Sequence, residues 1–153
     1  MTTRDIRHSY QIEAPPATLV AALTEPDGIA SWWTREVREQ DGLIVAGWSG
    51  YGWEVVLAPH RDETGRQVTW RCVRSNMQGT DAWEGTEISF DLSPDTTGRT
   101  TRLDFAQTGY RESPCYDVCV QGWDFFIGTG LRQYAESGTG RPYPEVTDTR
   151  RES

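Results

Sequence analysis

The chain opens on a strict alternation: Ile6, His8, Tyr10 and Ile12 share one side and Arg7, Ser9, Gln11 and Glu13 the other, the period of a half-buried strand over residues 4–13. "APP" stops it. "ATLVAALTEP" then carries Leu19, Val20 and Leu23 at helical spacing, and Pro26 closes this short helix because proline biases the residue before it away from the helical region. A second short helix is predicted in "DGIASWWT".

From Arg35 to Thr108 alternation returns, in Trp53/Val55/Leu57, Val68/Trp70/Cys72, Thr86/Ile88/Phe90/Leu92 and Thr101/Leu103/Phe105. "DG" at Asp41 and "ETG" at Glu63 are turn signals between such runs. Five or six strands fit, with Glu54, Arg71, Glu87, Asp91 and Asp104 on the solvated face. The last element, about Asp117 to Glu136, switches to helical spacing, with apolar residues at 119, 120, 123, 126, 127, 131 and 134, and Gly138 and Gly140 end it. Residues 1–143 therefore read as one domain, and the tail 144–153, "PEVTDTRRES", as disordered.

Three glycines sit inside that final helix, where each costs about 1 kcal/mol relative to alanine. A helical wheel turns Cys119, Trp123, Phe126, Ile127, Gly130 and Tyr134 toward the sheet, Gly128 to the opposite side as a weak point, and Gly122 to the flank. Gly130 either lets the helix approach a strand or leaves a gap; the gap is favoured, because aromatic side chains commonly wall pockets and this face supplies them.

Composition adds to that reading. With 153 residues the chain has the length of one domain, and seven Trp, six Tyr and four Phe make the interior rich in rings. The net charge of -8, with arginine as the sole strongly basic residue type, argues against nucleic acid and against an anionic membrane surface. No apolar run approaches the roughly 20 residues of a membrane span, and "MTTRDIRHSY" lacks the apolar core of a signal peptide, so a cytoplasmic location is expected. The odd count of three cysteines speaks against a disulfide framework, and no ligand set for a metal stands out. Cys115 and Cys119 are either reactive thiols at a helix start or, the plainer reading, small packing residues.

The order strand, two short helices, antiparallel strands, long helix is carried by "IEAPPATLVAALTEPDGIASWWT", "VTWR", "EGTEISFDLSP", "GRTTRLDFAQTGY" and "GWDFFIGTGLRQYAESGTGRPY". It resembles the helix-grip fold of the START/Bet v-like superfamily (SRPBCC), and within it the branch of homologues of the heat-shock chaperone ATPase activator. The resemblance implies an α+β domain in which a curved antiparallel sheet of six or seven strands wraps around the C-terminal helix. It also implies one of several functions: lipid or hormone carriage, polyketide cyclisation, or chaperone co-activation in a stress response.

The expected cavity lies between sheet and helix. Its wall is Trp53, Trp70, Cys72, Phe90 and Phe105 from the strands with Trp123, Phe126 and Ile127 from the helix, Gly130 supplying the gap. Of Trp32 and Trp33 one plugs the core and the other, taken as Trp33, reaches the mouth, with Trp83 and Met77 nearby on a loop. The bland alternative for each of these residues is ordinary core packing. Tyr10 and Tyr134 are candidate polar anchors.

Candidates for catalysis are few. His8 shares the inward parity of the first strand and is, with a tyrosine as the alternative, the candidate proton donor for a cyclase-like or hydrolase-like reaction, against the simpler reading of a solvated rim histidine; His60 follows Pro59 and reads as a loop residue. No nucleophile triad, phosphate loop or carboxylate pair is evident. The expected function is binding, transport or sensing of a small hydrophobic or aromatic molecule without a cofactor. A homodimer or a chaperone contact, the latter around an exposed Phe125, are the alternative partners.

Overall fold

In the computed structural model the described residues are 3–111, 116–140 and 142–143. Seven strands form one antiparallel sheet: β1 (Thr3–Ile12), β2 (Glu36–Gln40), β3 (Leu43–Trp48), β4 (Trp53–Arg61), β5 (Gln67–Ser75), β6 (Glu87–Pro94) and β7 (Thr101–Arg111). Their spatial order is β1-β7-β6-β5-β4-β3-β2, so the first strand pairs with the last and the rest form a meander. The Asp41–Gly42 turn joining β2 to β3 has both residues at positive φ, 54° and 80°, as an Asp-Gly hairpin turn requires.

Two short helices follow β1: α1 (Pro16–Thr24) and α2 (Pro26–Ala30), each with proline in its first turn. Glu25 between them is extended (φ -94°, ψ 136°), the conformation the following proline imposes. The second helix is shorter than its pattern suggests. Trp33 still donates its N–H to the Ile29 carbonyl (3.0 Å), but Thr34 bridges to Tyr143, and that pairing draws the chain out toward β2.

The C-terminal helix begins as α3 (Tyr116–Phe125), widens into a π-helical stretch (Phe126–Leu131) and ends as α4 (Arg132–Ser137). Gly138, at φ 86°, terminates it and donates its N–H to the Tyr134 carbonyl (2.7 Å). The architecture is the α+β helix-grip fold. Its core lies between the inner sheet face and these helices, and Trp32, Leu19, Leu23, Val68, Trp70, Ile88, Phe90, Leu103, Ile127 and Leu131 are completely buried there. The tail 144–153, expected to be disordered, and Cys115 lie outside the described residues.

The helix glycines sit differently from the wheel. A Cβ on Gly130 would come within 3.0 Å of the Trp32 carbonyl oxygen, so this glycine permits close approach of helix to backbone and leaves no gap. Gly128 does not face outward: its Cβ would meet the Tyr10 ring at 2.8 Å. The reason is geometric. Gly128 stands one turn after Asp124, whose carboxylate accepts the Tyr10 hydroxyl (2.5 Å), so the tyrosine of the edge strand covers this flank. The π widening also turns each residue through less than the 100° an α-helical wheel assumes. Of the three, Gly122 is the one with open space, nothing among the described residues lying within 4 Å of where a Cβ would stand.

Candidate functional site

Six of the seven tryptophans form one connected cluster. Trp33 is its hub, with ring centroids 6.1 Å from Trp32, 5.0 Å from Trp48, 5.2 Å from Trp70, 6.5 Å from Trp83 and 5.5 Å from Trp123. Each such pair contributes about 0.5–1.5 kcal/mol beyond burial. Their indole N–H groups separate structural members from the rest. Trp32 donates to the Ala22 carbonyl and Trp70 to the Leu23 carbonyl, both at 2.8 Å. These two rings therefore cap the last turn of α1, whose carbonyls have no partner within the helix.

On the other side of the cluster a cleft of about 410 Å³ opens between the β3–β4 hairpin, the β5–β6 connection and α3. Trp33, Trp48, Trp83 and Trp123 form its buried floor. Tyr51, Trp53 and Tyr143 form one rim, with Tyr51 stacked on Trp53 at 4.4 Å and 13°. Met77, Val118, Cys119, Gly122 and Phe126 complete the lining. The missing side chain at Gly122 is what keeps the helix side of the cleft open.

Each wall is held from behind. Asn76 ties the hairpin to the β5–β6 connection, accepting from Glu54 N–H (2.7 Å) and donating to the Gly52 carbonyl (3.1 Å). Tyr143 is strapped down by backbone bonds to Trp33 and Arg35 (3.0 and 2.7 Å), and its hydroxyl accepts the Gly50 N–H (2.8 Å). Beneath the floor runs a buried relay in which Trp123 Nε1 donates to Gln107 Oε1 (2.8 Å), Gln107 Nε2 to Thr86 Oγ1 (3.1 Å), and Thr86 Oγ1 to the Trp83 carbonyl (2.7 Å).

Of the residues expected to wall a cavity, the structure brings Trp33, Trp53, Trp83, Trp123 and Phe126 to the cleft. Trp70, Cys72, Phe90, Phe105 and Ile127 do not reach it; they are sealed in the core. Gly130, packed on the Trp32 carbonyl, lies away from it too. The shift has one cause. The middle of the helix is packed onto the Trp32 backbone, in the connection from α2 to β2, at Gly130, and the aromatic-walled cleft lies toward its N-terminal half. Burial, and secondarily the charge of Glu84, push the Cys72 thiol up to about 12, leaving it protonated and inert at neutral pH.

His8 is half-buried, stacked at 6.0 Å on Phe105 with its Nε2 3.1 Å from the Val120 carbonyl oxygen, and it does not line the cleft. His60 is exposed and belongs to β4 rather than to a loop. Tyr10 is turned toward Asp124 and away from the cleft; its hydroxyl is raised above the usual tyrosine range by burial first and by the Asp124 hydrogen bond and charge second. Tyr134 also lies outside it. Trp48, Tyr51, Val118, Cys119, Gly122 and Tyr143 were not among the expected wall residues. The Gly-aromatic pairs of "GWSGYGW" were the signal for two of them, since aromatics beside hairpin-turn glycines are presented at a sheet edge.

No family model and no curated relative matches the sequence. Solved structures do. The chain is similar to the Aha1 dimer from Colwellia psychrerythraea, with a TM-score of 0.73 and 25% identity over 90% of this chain and 99% of that one. It is also similar in fold to DynU16, a protein of the dynemicin biosynthetic locus (TM-score 0.68, 18% identity, 89% of this chain, 48% of that one). A third is SSP2350 from Staphylococcus saprophyticus (TM-score 0.62, 19% identity, 90% of this chain, 95% of that one).

Proposed function

We propose that this protein binds a small, flat, apolar molecule in the cleft beside Gly122, as a carrier or sensor. The observation that carries the reading is the cleft itself: about 410 Å³, walled by aromatic rings, with a glycine where the helix would otherwise fill it. Its size falls within the roughly 300–1,000 Å³ of small-molecule sites. No carboxylate, imidazole or guanidinium stands among the described lining residues; the hydroxyls of Tyr51 and Tyr143 and the Cys119 thiol are the proton-bearing side chains there besides the indoles, a set that favours binding over acid–base chemistry.

Fluorescence and melting temperature test this together. With fluorene or fluorenone as probe, the tryptophan emission is expected to be quenched. At a hundred times Kd the bound state gains about 2.7 kcal/mol, which at about 2–4 °C per kcal/mol raises Tm by roughly 5–10 °C. Unchanged emission and unchanged Tm across a panel of fused-ring compounds, lipids and flavonoids would remove the reading.

A second reading is self-association through the outer face of α3. It is favoured by the exposure of Phe125 (39%), with Val118 (52%) at the border between this face and the cleft, and by the likeness to a dimeric protein. Light scattering is expected to give twice the monomer mass, reduced to the monomer in Phe125→Asp; a monomeric wild type contradicts it. Pull-down with a heat-shock chaperone, using the same pair of proteins, tests the chaperone contact.

A further inference from the structure

Tryptophan has one hydrogen-bonding group, the indole N–H donor. In the cluster, Trp32, Trp70 and Trp123 each give theirs to an acceptor at 2.8 Å. Trp83 does not. Its Nε1 is sealed from solvent and meets no acceptor among the described residues, on a side chain that is 4% exposed and lines the cleft. Buried donors are nearly always paired, because an unpaired one has given up water for nothing.

The protein cannot supply the partner cheaply. The ring is held against Trp123 (5.3 Å, 18°) and Trp33 (6.5 Å, 7°), and the Trp83 carbonyl is pinned by Thr86 N–H (3.0 Å) and Thr86 Oγ1 (2.7 Å). The amide of the relay, Gln107, already uses its oxygen for Trp123 and its nitrogen for Thr86. The acceptor is then a molecule entering from the cleft, a water when the site is empty and a ligand atom when it is filled.

We propose that the ligand is a planar aromatic ketone, or a compound with an equivalent conjugated carbonyl, whose oxygen accepts from Trp83 Nε1. This rests on the cleft being a ligand site. Planarity matches the near-parallel faces of Trp33, Trp83 and Trp123. A neutral acceptor is preferred to a carboxylate because no cationic side chain stands among the described lining residues to receive one. The donor is covered here, so the oxygen reaches it when a lining side chain moves aside. Met77, on the same connection and the one unbranched, flexible side chain of the lining, is suited to that movement.

Fluorenone and fluorene, which differ in one carbonyl, separate this claim from the claim that the cleft binds at all. Their dissociation constants are measured by fluorescence quenching on wild type and on Trp83→Phe, and the Trp83 indole signal is followed by NMR in wild type. The wild type is expected to favour fluorenone by at least about fivefold more than the variant does, one neutral hydrogen bond's worth. The Trp83 indole proton should move downfield with fluorenone and not with fluorene. Should the variant fail to fold, the indole shift decides alone. If both probes bind, with equal preference in the two proteins and an unmoved indole proton, the acceptor proposal is overturned and the cleft reading stands. Binding of neither overturns both.

Discussion

Gly122 offers the sharpest perturbation, because the three helix glycines make opposite predictions. Alanine at a helical glycine gains about 0.5–1 kcal/mol from backbone entropy alone. At Gly122 nothing among the described residues lies within 4 Å of the added carbon, so the gain is realised in full, and Tm rises by roughly 1–4 °C. At Gly130 the same carbon stands 3.0 Å from the carbonyl oxygen of the fully buried Trp32, so backbone must yield by a few tenths of an ångström to admit it. Overpacking of that kind costs about 1–3 kcal/mol, so Gly130→Ala is expected to be destabilising on balance. Gly122→Leu goes further, placing an apolar side chain in the cleft; it should keep or raise stability and weaken fluorenone at least about tenfold. Urea unfolding with linear extrapolation and fluorescence titration give both quantities. Loss of stability in Gly122→Ala would refute the claim that this part of the helix borders open space, and unaltered fluorenone affinity in Gly122→Leu would place the ligand elsewhere.

Other expectations follow from contacts around the cleft. Gly128→Ala should destabilise the wild type yet stabilise a Tyr10→Ala background, because the Tyr10 ring is what its Cβ would strike; a double-mutant cycle measures this. Tyr10 has a folded-state pKa raised above its ordinary 10.0, so its share of stability is complete below about pH 10 and is lost as pH rises through the folded value. Tyr10→Phe should lack that alkaline loss in a pH series of urea midpoints. Gln107→Leu leaves the buried Trp123 N–H without its acceptor and is expected to cost about 1–3 kcal/mol by urea unfolding. Cys72, 1% exposed and with its thiol pushed up to about 12, should remain unalkylated by iodoacetamide at pH 8 until the protein unfolds, as peptide mapping would show.

The fold was legible because its signals are local. The alternation in β1, the Asp-Gly turn, the paired prolines around α1 and the Gly138 stop each act within a few residues, and each stands where the pattern put it. The position of the cleft was not, because it depends on long-range packing. Parity correctly turned Trp70, Phe90 and Phe105 inward, but inward means core for some residues and cleft for others. What divides them is the contact between Gly130 and the Trp32 backbone, which seats the helix deep at its middle, while open space borders Gly122. Tyr143 escaped notice for the same reason: its role comes from bonds to Trp33, Arg35 and Gly50, about a hundred residues away.

The central claim is that a flat ligand sits at the Gly122 end of the helix rather than in the core. A two-dimensional nitrogen–proton NMR spectrum with and without fluorenone tests it most directly. The amide of Gly122 and the indoles of Trp33, Trp53, Trp83 and Trp123 should shift, while the indoles of Trp32 and Trp70, bonded to the end of α1, stay in place. Shifts centred on Trp70 with Gly122 unmoved, or a spectrum unchanged at saturating fluorenone, would contradict it.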